Sequence, residues 1–213
     1  MNVRALEQQL GRRLARVTTN AVVARPALWR VFRWLTRAQF DRLAPRWDEL
    51  RRPEAFAALE QALAAVPEAP PRVLDLGTGT GLAAFVDARR FPEADVVGVD
   101  LAEAMVERAR ANTPPELAAR VRFERADGAR LPFSDGSFEL VTLANMIPFF
   151  DELARVVAPG GHVVFSFSAG PETPIWVPPE RLRRELSARG FVEFADFEAE
   201  GGTALLARKT DRS

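Results

Sequence analysis

An apolar run, Val73, Leu74, Asp75 and Leu76, leads without a break into Gly77, Thr78, Gly79, Thr80 and Gly81, and Leu82, Ala83, Ala84 and Phe85 follow at once. A short apolar run closed by three alternate glycines predicts a buried strand, a tight turn and a helix. Glycine is called for where the backbone takes positive φ or must lie bare against another group. Three within five residues predict a turn shaped to receive a ligand, not one that only links two elements.

The rest of the chain after Pro71 repeats the same alternation. Apolar patterning predicts strands at 72–76, 95–100, 120–126, 138–144, 161–168, 191–198 and 203–208, with helices near 80–90, 102–112, 149–157 and 178–189. Alternating strands and amphipathic helices call for an α/β fold, a mostly parallel sheet covered on both faces. The last two strands are separated only by Gly201 and Gly202. So short a turn makes them antiparallel, because a parallel crossover needs about a dozen residues or more.

Upstream, Pro67, Pro70 and Pro71 interrupt a helical pattern. Leu6, Leu10, Leu14 and Val17 form one stripe at helical spacing. A second runs from Leu28 to Trp47, and a third through Phe56, Leu59, Leu63 and Val66. The chain therefore divides into a helical prefix or lid at 1–68 and a ligand-binding α/β domain at 69–213.

Composition removes several kinds of chemistry. With 29 basic and 29 acidic residues the chain has no net field to draw it to nucleic acid. It has no cysteine and one histidine, His162, so disulfides, thiolate nucleophiles, a Ser/His/Asp triad and His- or Cys-built metal centres are not expected. His162 begins a strand at the end away from the ligand and is read as structural. No run reaches the roughly 20 apolar residues of a membrane span, and the first residues lack the apolar core of a secretory signal. The expectation is a cytoplasmic protein.

The glycine spacing separates two ligand classes. Dinucleotide folds use G-x-G-x-x-G, and counting from Gly77 and Gly79 the third place is Leu82. The glycine falls one place early, at Gly81, with Asp75 ahead of the turn. That D-x-G-x-G-x-G pattern resembles the first motif of the class I S-adenosylmethionine-dependent methyltransferases. Asp100 closing "VVGVD", the stretch "RADGARLPFSDGSFELV", the stretch "FDELARVVAPGGHVVFSFS" and the terminal hairpin are similar to the family's later motifs, in order. "FDRLAPRWDEL" at 40–50 is similar to a prefix signature of small-molecule members, including quinone C-methyltransferases, with Trp47 where that branch usually has tyrosine.

The resemblance implies a seven-stranded Rossmann-like sheet in the order 3-2-1-4-5-7-6, with strand 7 antiparallel, and S-adenosyl-L-methionine as the cofactor. Gly77, Thr78, Gly79, Thr80 and Gly81 would lie against its methionine portion. Asp75 would help bind its amino group or else brace the loop. Asp100, followed by Leu101, would accept both ribose hydroxyls, a role in which a carboxylate suits a neutral diol. Asp127, beside Gly128, would take the adenine amino group, and Asn145 would sit where cofactor and substrate meet. Trp47, Met146, Glu172 and Trp176 are the substrate-side candidates.

No catalytic base is assigned; the polar candidates near the opening are Asp48, Asn145, Asp151 and Glu172. Asn145 lacks the following Pro-Pro-aromatic of amino-group methyltransferases, since Met146 and Ile147 precede Pro148. The expected acceptor is therefore a small apolar, aromatic, quinone or lipid-like molecule. The alternative is a non-catalytic protein that binds S-adenosylmethionine or S-adenosylhomocysteine as a sensor or partner subunit. Residues 1–38 carry eight arginines against one acid, Glu7. Such a segment can lid the site, join two copies as a homodimer, or rest on an anionic membrane surface.

Overall fold

A computed structural model describes residues 3–47 and 53–211. Seven strands form one sheet: β1 (Arg72–Leu76), β2 (Asp95–Asp100), β3 (Val121–Arg125), β4 (Phe138–Ala144), β5 (Val157–Phe167), β6 (Phe191–Ala199) and β7 (Gly202–Lys209). Their order is β3-β2-β1-β4-β5-β7-β6. The pairs β1–β2, β2–β3, β1–β4 and β4–β5 are parallel, while β7 runs antiparallel to both β5 and β6. Order and reversal both agree with what the motifs implied.

The helices are α1 (Val3–Ala24), α2 (Trp29–Leu43), α3 (Ala57–Ala64), α4 (Leu82–Arg90), α5 (Glu103–Ala111), α6 (Phe150–Val156) and α7 (Pro179–Ser187). Successive strand residues point to opposite faces, and each face carries its own apolar layer. Val73, Val96, Leu140 and Val164 meet Leu59 and Leu63 of α3, Phe85 of α4 and Val106 of α5. Leu74, Val97, Val141 and Val163 meet Leu153 of α6, Leu182 and Leu186 of α7, and Val22, Val23 and Trp29 of the prefix. The stretch 1–68 thus contributes to both faces: α3 lies on one and the α1–α2 hairpin on the other.

One boundary moved. The sequence predicts a strand from residue 161, but β5 begins at Val157 and takes in Pro159, Gly160 and Gly161, with a register shift against β4 between Phe138 and Leu140. The bulge needs glycine, since a Cβ on Gly161 would lie 2.9 Å from the carbonyl oxygens of both Ala158 and Glu139.

The strands end towards the α1–α2 hairpin, and side chains tie that hairpin to the body. Arg12 donates to the Glu172 carbonyl at 2.7 Å, and Arg16 to the carbonyls of Pro171 and Thr173 at 2.8 Å each. Arg181 of α7 donates to the Val23 carbonyl at 2.9 Å. These bonds tie the hairpin to the loop that follows β5 and to α7.

Leu63 is fully buried between α3 and the sheet. Leu63→Ala is expected to cost about 2–5 kcal/mol, read as a lower urea midpoint with an unchanged denaturant slope. A loss under ~0.5 kcal/mol would show that α3 is not part of the core.

Candidate functional site

The turn after β1 is built on backbone. Gly77, Gly79 and Gly81 all have positive φ, at 78°, 55° and 91°, a region that side chains with a Cβ rarely enter. The amides of Gly77 and Thr78 both donate to the Val99 carbonyl at 2.9 Å, which fixes the turn to the end of β2. Asp100 holds its far side: one carboxylate oxygen accepts from the Gly79 amide at 3.0 Å and the other from the Ala102 amide at 2.9 Å. Burial pushes the Asp100 carboxyl upward, and the amides of Ala102, Gly79 and Leu101 favour its charged form and pull it back.

Three of the five turn residues carry no side chain, and space above and below them is short. A Cβ on Gly77 would lie 2.7 Å from Met146 Sδ, and one on Gly79 3.3 Å from Trp47 Nε1. A Cβ on Gly81 would lie 2.8 Å from the Phe123 ring. The turn thus faces a thioether and an indole on its open side, groups suited to a soft, positively charged ligand. Trp47 also packs edge-on against Phe40 at 5.3 Å and joins Ala44, Ala102 and Met105, so it seats the prefix on α5 as well.

The threonines turn the other way. Thr78 is buried, and its hydroxyl lies 2.6 Å from where a Cβ on Gly98 would stand. Thr80 is also buried, and its carbonyl accepts from Asn112 at 3.4 Å. The Thr78 hydroxyl therefore points inwards, away from the turn's outer surface. Gly98, which the sequence reading passed over, is required by this packing, because Phe123 would lie 2.5 Å from its Cβ.

Asp75 is wholly buried beneath the turn, on the α4 face of β1. Register places it beside Thr142, whose hydroxyl donates to Asp87 of α4 at 2.7 Å. Burial, then the neighbouring Asp75 carboxylate, push the Asp87 carboxyl well above the ordinary range, against the Thr142 hydrogen bond. Two buried carboxylates below the turn therefore favour a state in which Asp87 keeps its proton. Asp87 was invisible to the sequence reading, since an acid in the middle of a helix normally faces water.

At the end of β3, Asp127 is already engaged by the prefix. Trp29 Nε1 donates to one oxygen at 2.7 Å, the Ala129 amide donates to the same oxygen at 3.0 Å, and Arg33 stands 3.8 Å from the other. Trp29 stacks edge-on with Phe149 at 5.2 Å, closing this corner. At Gly128 beside it a Cβ would be tightly placed, with Met146, Phe149 and Leu76 at 3.2–3.3 Å. Leu101, half-buried, packs on the same apolar layer, and its carbonyl accepts from Arg125 at 3.3 Å.

The structure draws Met146 and Trp47 onto the turn and leaves the other substrate-side candidates apart. Asn145, in the left-handed region at φ 55°, binds Ser168 reciprocally: Nδ2 reaches Ser168 Oγ at 3.0 Å, and the Ser168 amide donates to Oδ1 at 3.0 Å. It clamps the ends of β4 and β5, and a positive φ in a non-glycine residue is a strain found at functional sites. Trp176 lines a cavity of about 230 Å³ with Phe167, Val177, Leu182 and Leu205, which includes none of the turn residues. Glu172 is exposed and borders a groove with Arg12, Arg13 and Arg16. Asp151 is paired with Arg189 at 2.7 Å on the surface, and Asp48 lies outside the described residues. His162 is half-buried between Leu140 of β4 and Arg208 of β7, and burial lowers its basicity.

Comparison with known proteins finds similarity over part of the chain. Residues 73–161 match a family model described as a methyltransferase domain. The chain is 42% identical over 137 residues to the demethylmenaquinone methyltransferase of Thermus thermophilus, covering 59% of this chain and 62% of that protein. It is 43% identical over 147 residues to the malonyl-[acyl-carrier protein] O-methyltransferase of Halorhodospira halophila, covering 64% of this chain and 48% of that protein. The chain thus spans less than two thirds of these relatives. Among solved structures, a Methanococcus maripaludis protein assigned to the S-adenosyl-L-methionine-dependent methyltransferases shares the fold at a TM-score of 0.65 and 18% identity, over 81% of this chain and 94% of that one.

The buried acid pair has a measurable consequence. A raised carboxyl pKa means that the folded chain keeps a proton the unfolded chain gives up, so stability falls as pH rises from about 4 towards the raised value. Asp87→Asn removes that loss and is expected to raise stability above that of wild type at pH 8, with the gain shrinking towards pH 4. A stability difference independent of pH would overturn the assignment of the proton to Asp87.

Proposed function

We propose that this chain, which carries a class I S-adenosylmethionine-dependent methyltransferase domain, transfers the methyl group of that cofactor to a small apolar or aromatic acceptor such as a quinone, a phenol or a lipid-like molecule. The observation that carries the reading is the glycine turn braced by Asp100, with Met146 and Trp47 against Gly77 and Gly79. A diphosphate would ask for amides at a helix start followed by close helix packing at a third, later glycine. Here that place is Leu82.

The residues present fit S-adenosylmethionine. Asp100 offers carboxylate lone pairs to a ribose diol, the bare backbone at Gly77 and Gly79 admits the methionine chain, and Met146 and Trp47 place polarisable, electron-rich surface where a sulfonium would stand. The cofactor supplies a methyl carbon already activated towards displacement. What remains for the protein is to orient an acceptor in line, within about 3–3.5 Å of that carbon, and to keep water out. Trp47, Met146 and Phe149 provide apolar walls, and the α1–α2 hairpin provides the cover.

Among the described residues, none of the polar candidates near the opening is turned to the glycines. Asn145 is bound to Ser168, Asp151 to Arg189, and Glu172 stands on an exposed rim. A site so poor in bases suits an acceptor that arrives as an anion, as phenols and enols readily do. The similarity to a demethylmenaquinone methyltransferase supports the same acceptor class. The alternative, a non-catalytic cofactor-binding protein, draws support from the closeness of Met146 and Trp47 to the turn, which leaves little room beside it.

Calorimetric titration with S-adenosylmethionine and S-adenosylhomocysteine tests the cofactor. Wild type is expected to bind both at micromolar concentrations. Asp100→Ala is expected to weaken binding at least ~10-fold, the loss of a charged hydrogen-bond acceptor, and Gly79→Val is expected to abolish it. A folded wild type that binds neither would overturn the reading. Binding without transfer of labelled methyl to any phenol, quinone or lipid would favour the non-catalytic alternative.

A further inference from the structure

We propose that the outer face of the α1–α2 hairpin docks the protein on an anionic lipid bilayer. The helices are joined by only a short turn at 25–28, and Gly11 of α1 lies against Gln39 of α2, where an added Cβ would stand 3.9 Å from Nε2. That antiparallel register brings Leu14 and Val17 level with Leu35 and Trp34. All four are exposed, Trp34 at 70% and Val17 at 60%, and Val31 joins them at 65%. Among the large apolar side chains standing into solvent in the described residues, only Val192 lies elsewhere.

Helix α2 is apolar on two sides. Trp29, Phe32 and Phe40 face the body, whereas Val31, Trp34 and Leu35, at helical spacing i, i+3 and i+4, face out. Arg30, Arg33 and Arg37 lie between these faces. A stripe that packs on nothing among the described residues, bordered by arginines and carrying a tryptophan, has the make-up of a helix that rests at a membrane interface. No helix among the described residues is long and apolar enough to cross a membrane, so the contact is peripheral.

Charge selects the occupant. The chain has 29 bases and 29 acids, yet its first 38 residues hold eight arginines and one acid, which leaves 21 bases against 28 acids in the remainder. A neutral molecule with so divided a charge turns its hairpin towards an anionic surface and its body away. A symmetric pairing of two copies through this face would set arginines against arginines, which opposes a dimer. The same hairpin reaches Asp127 through Trp29 and the 171–173 loop through Arg12 and Arg16. Docking would therefore bring the covered end of the sheet to the bilayer, where an apolar acceptor dissolves.

Co-sedimentation of the whole chain with vesicles tests this without cofactor, so its failure is separate from failure of the methyl-transfer reading. Wild type is expected to pellet with phosphatidylcholine vesicles containing about 30 mol% phosphatidylglycerol, to remain in solution with phosphatidylcholine alone, and to be released as salt rises from about 0.1 to 0.5 M. Arg13→Glu with Arg30→Glu, and separately Val31→Ser with Trp34→Ser, are each expected to weaken vesicle binding at least about tenfold, with thermal melting unchanged. Wild type that ignores anionic vesicles, or binding that both double variants retain, overturns the proposal. So does a wild-type dimer that Trp34→Ser splits, which would assign the face to a second copy. Arginine-dependent capture of an acidic carrier protein in place of vesicles would likewise assign it to a protein partner.

Discussion

The carboxylate of Asp100 bridging two backbone amides is the contact on which the ligand end of the molecule depends. One oxygen holds Gly79 and the other holds Ala102, so a single side chain at the end of β2 fixes both the turn after β1 and the start of α5. Positive φ at three glycines is costly for any other residue and gives the turn a bare outer surface. The backbone bond from Gly77 to Val99 and the bond from Gly79 to Asp100 then hold that surface in place before any ligand arrives. A binding surface made of backbone and braced by buried contacts loses little freedom on binding.

Beneath this surface the protein keeps a polar cluster where an apolar layer would be the simpler solution. Asp75, Asp87 and Thr142 are all wholly buried. Removing charge from such a pair favours folding, so its retention is a cost borne by the stability of the sheet. Asp75 precedes the turn by two residues, so the cluster lies where β1 gives way to the glycines. Above the surface, the hairpin lends Trp29 to Asp127 and Trp47 to Gly79. Site and cover are thus made of residues from both halves of the chain.

Much of this was legible in the sequence for physical reasons. A sheet covered on both faces writes its strands as continuous apolar runs, and glycine at forced positive φ cannot be disguised, so the strands and the turn could be located from pattern alone, whereas the strand order and the role of Asp100 were implied by the family resemblance. The two-residue turn at Gly201 and Gly202 made the last pair antiparallel. Less legible were contacts between residues far apart in the chain. Trp29 with Asp127 spans 98 positions, Asn145 with Ser168 spans 23, and Thr142 with Asp87 spans 55. No local rule pairs them.

The sequence by itself determined the fold class and the place of the glycine turn, because those follow from local propensity, period and backbone sterics; the cofactor was implied only by the family resemblance. Only the tertiary structure decided which side chains meet there. It turned the Thr78 hydroxyl inwards towards Gly98, tied the Asn145 amide to Ser168, put Trp176 on a separate cavity, and brought Met146 onto Gly77. It also split the prefix, sending α3 to one face of the sheet and the arginine-rich hairpin to the other. Helical periodicity marks which residues are apolar, but the partner that buries them is chosen by packing across the whole chain.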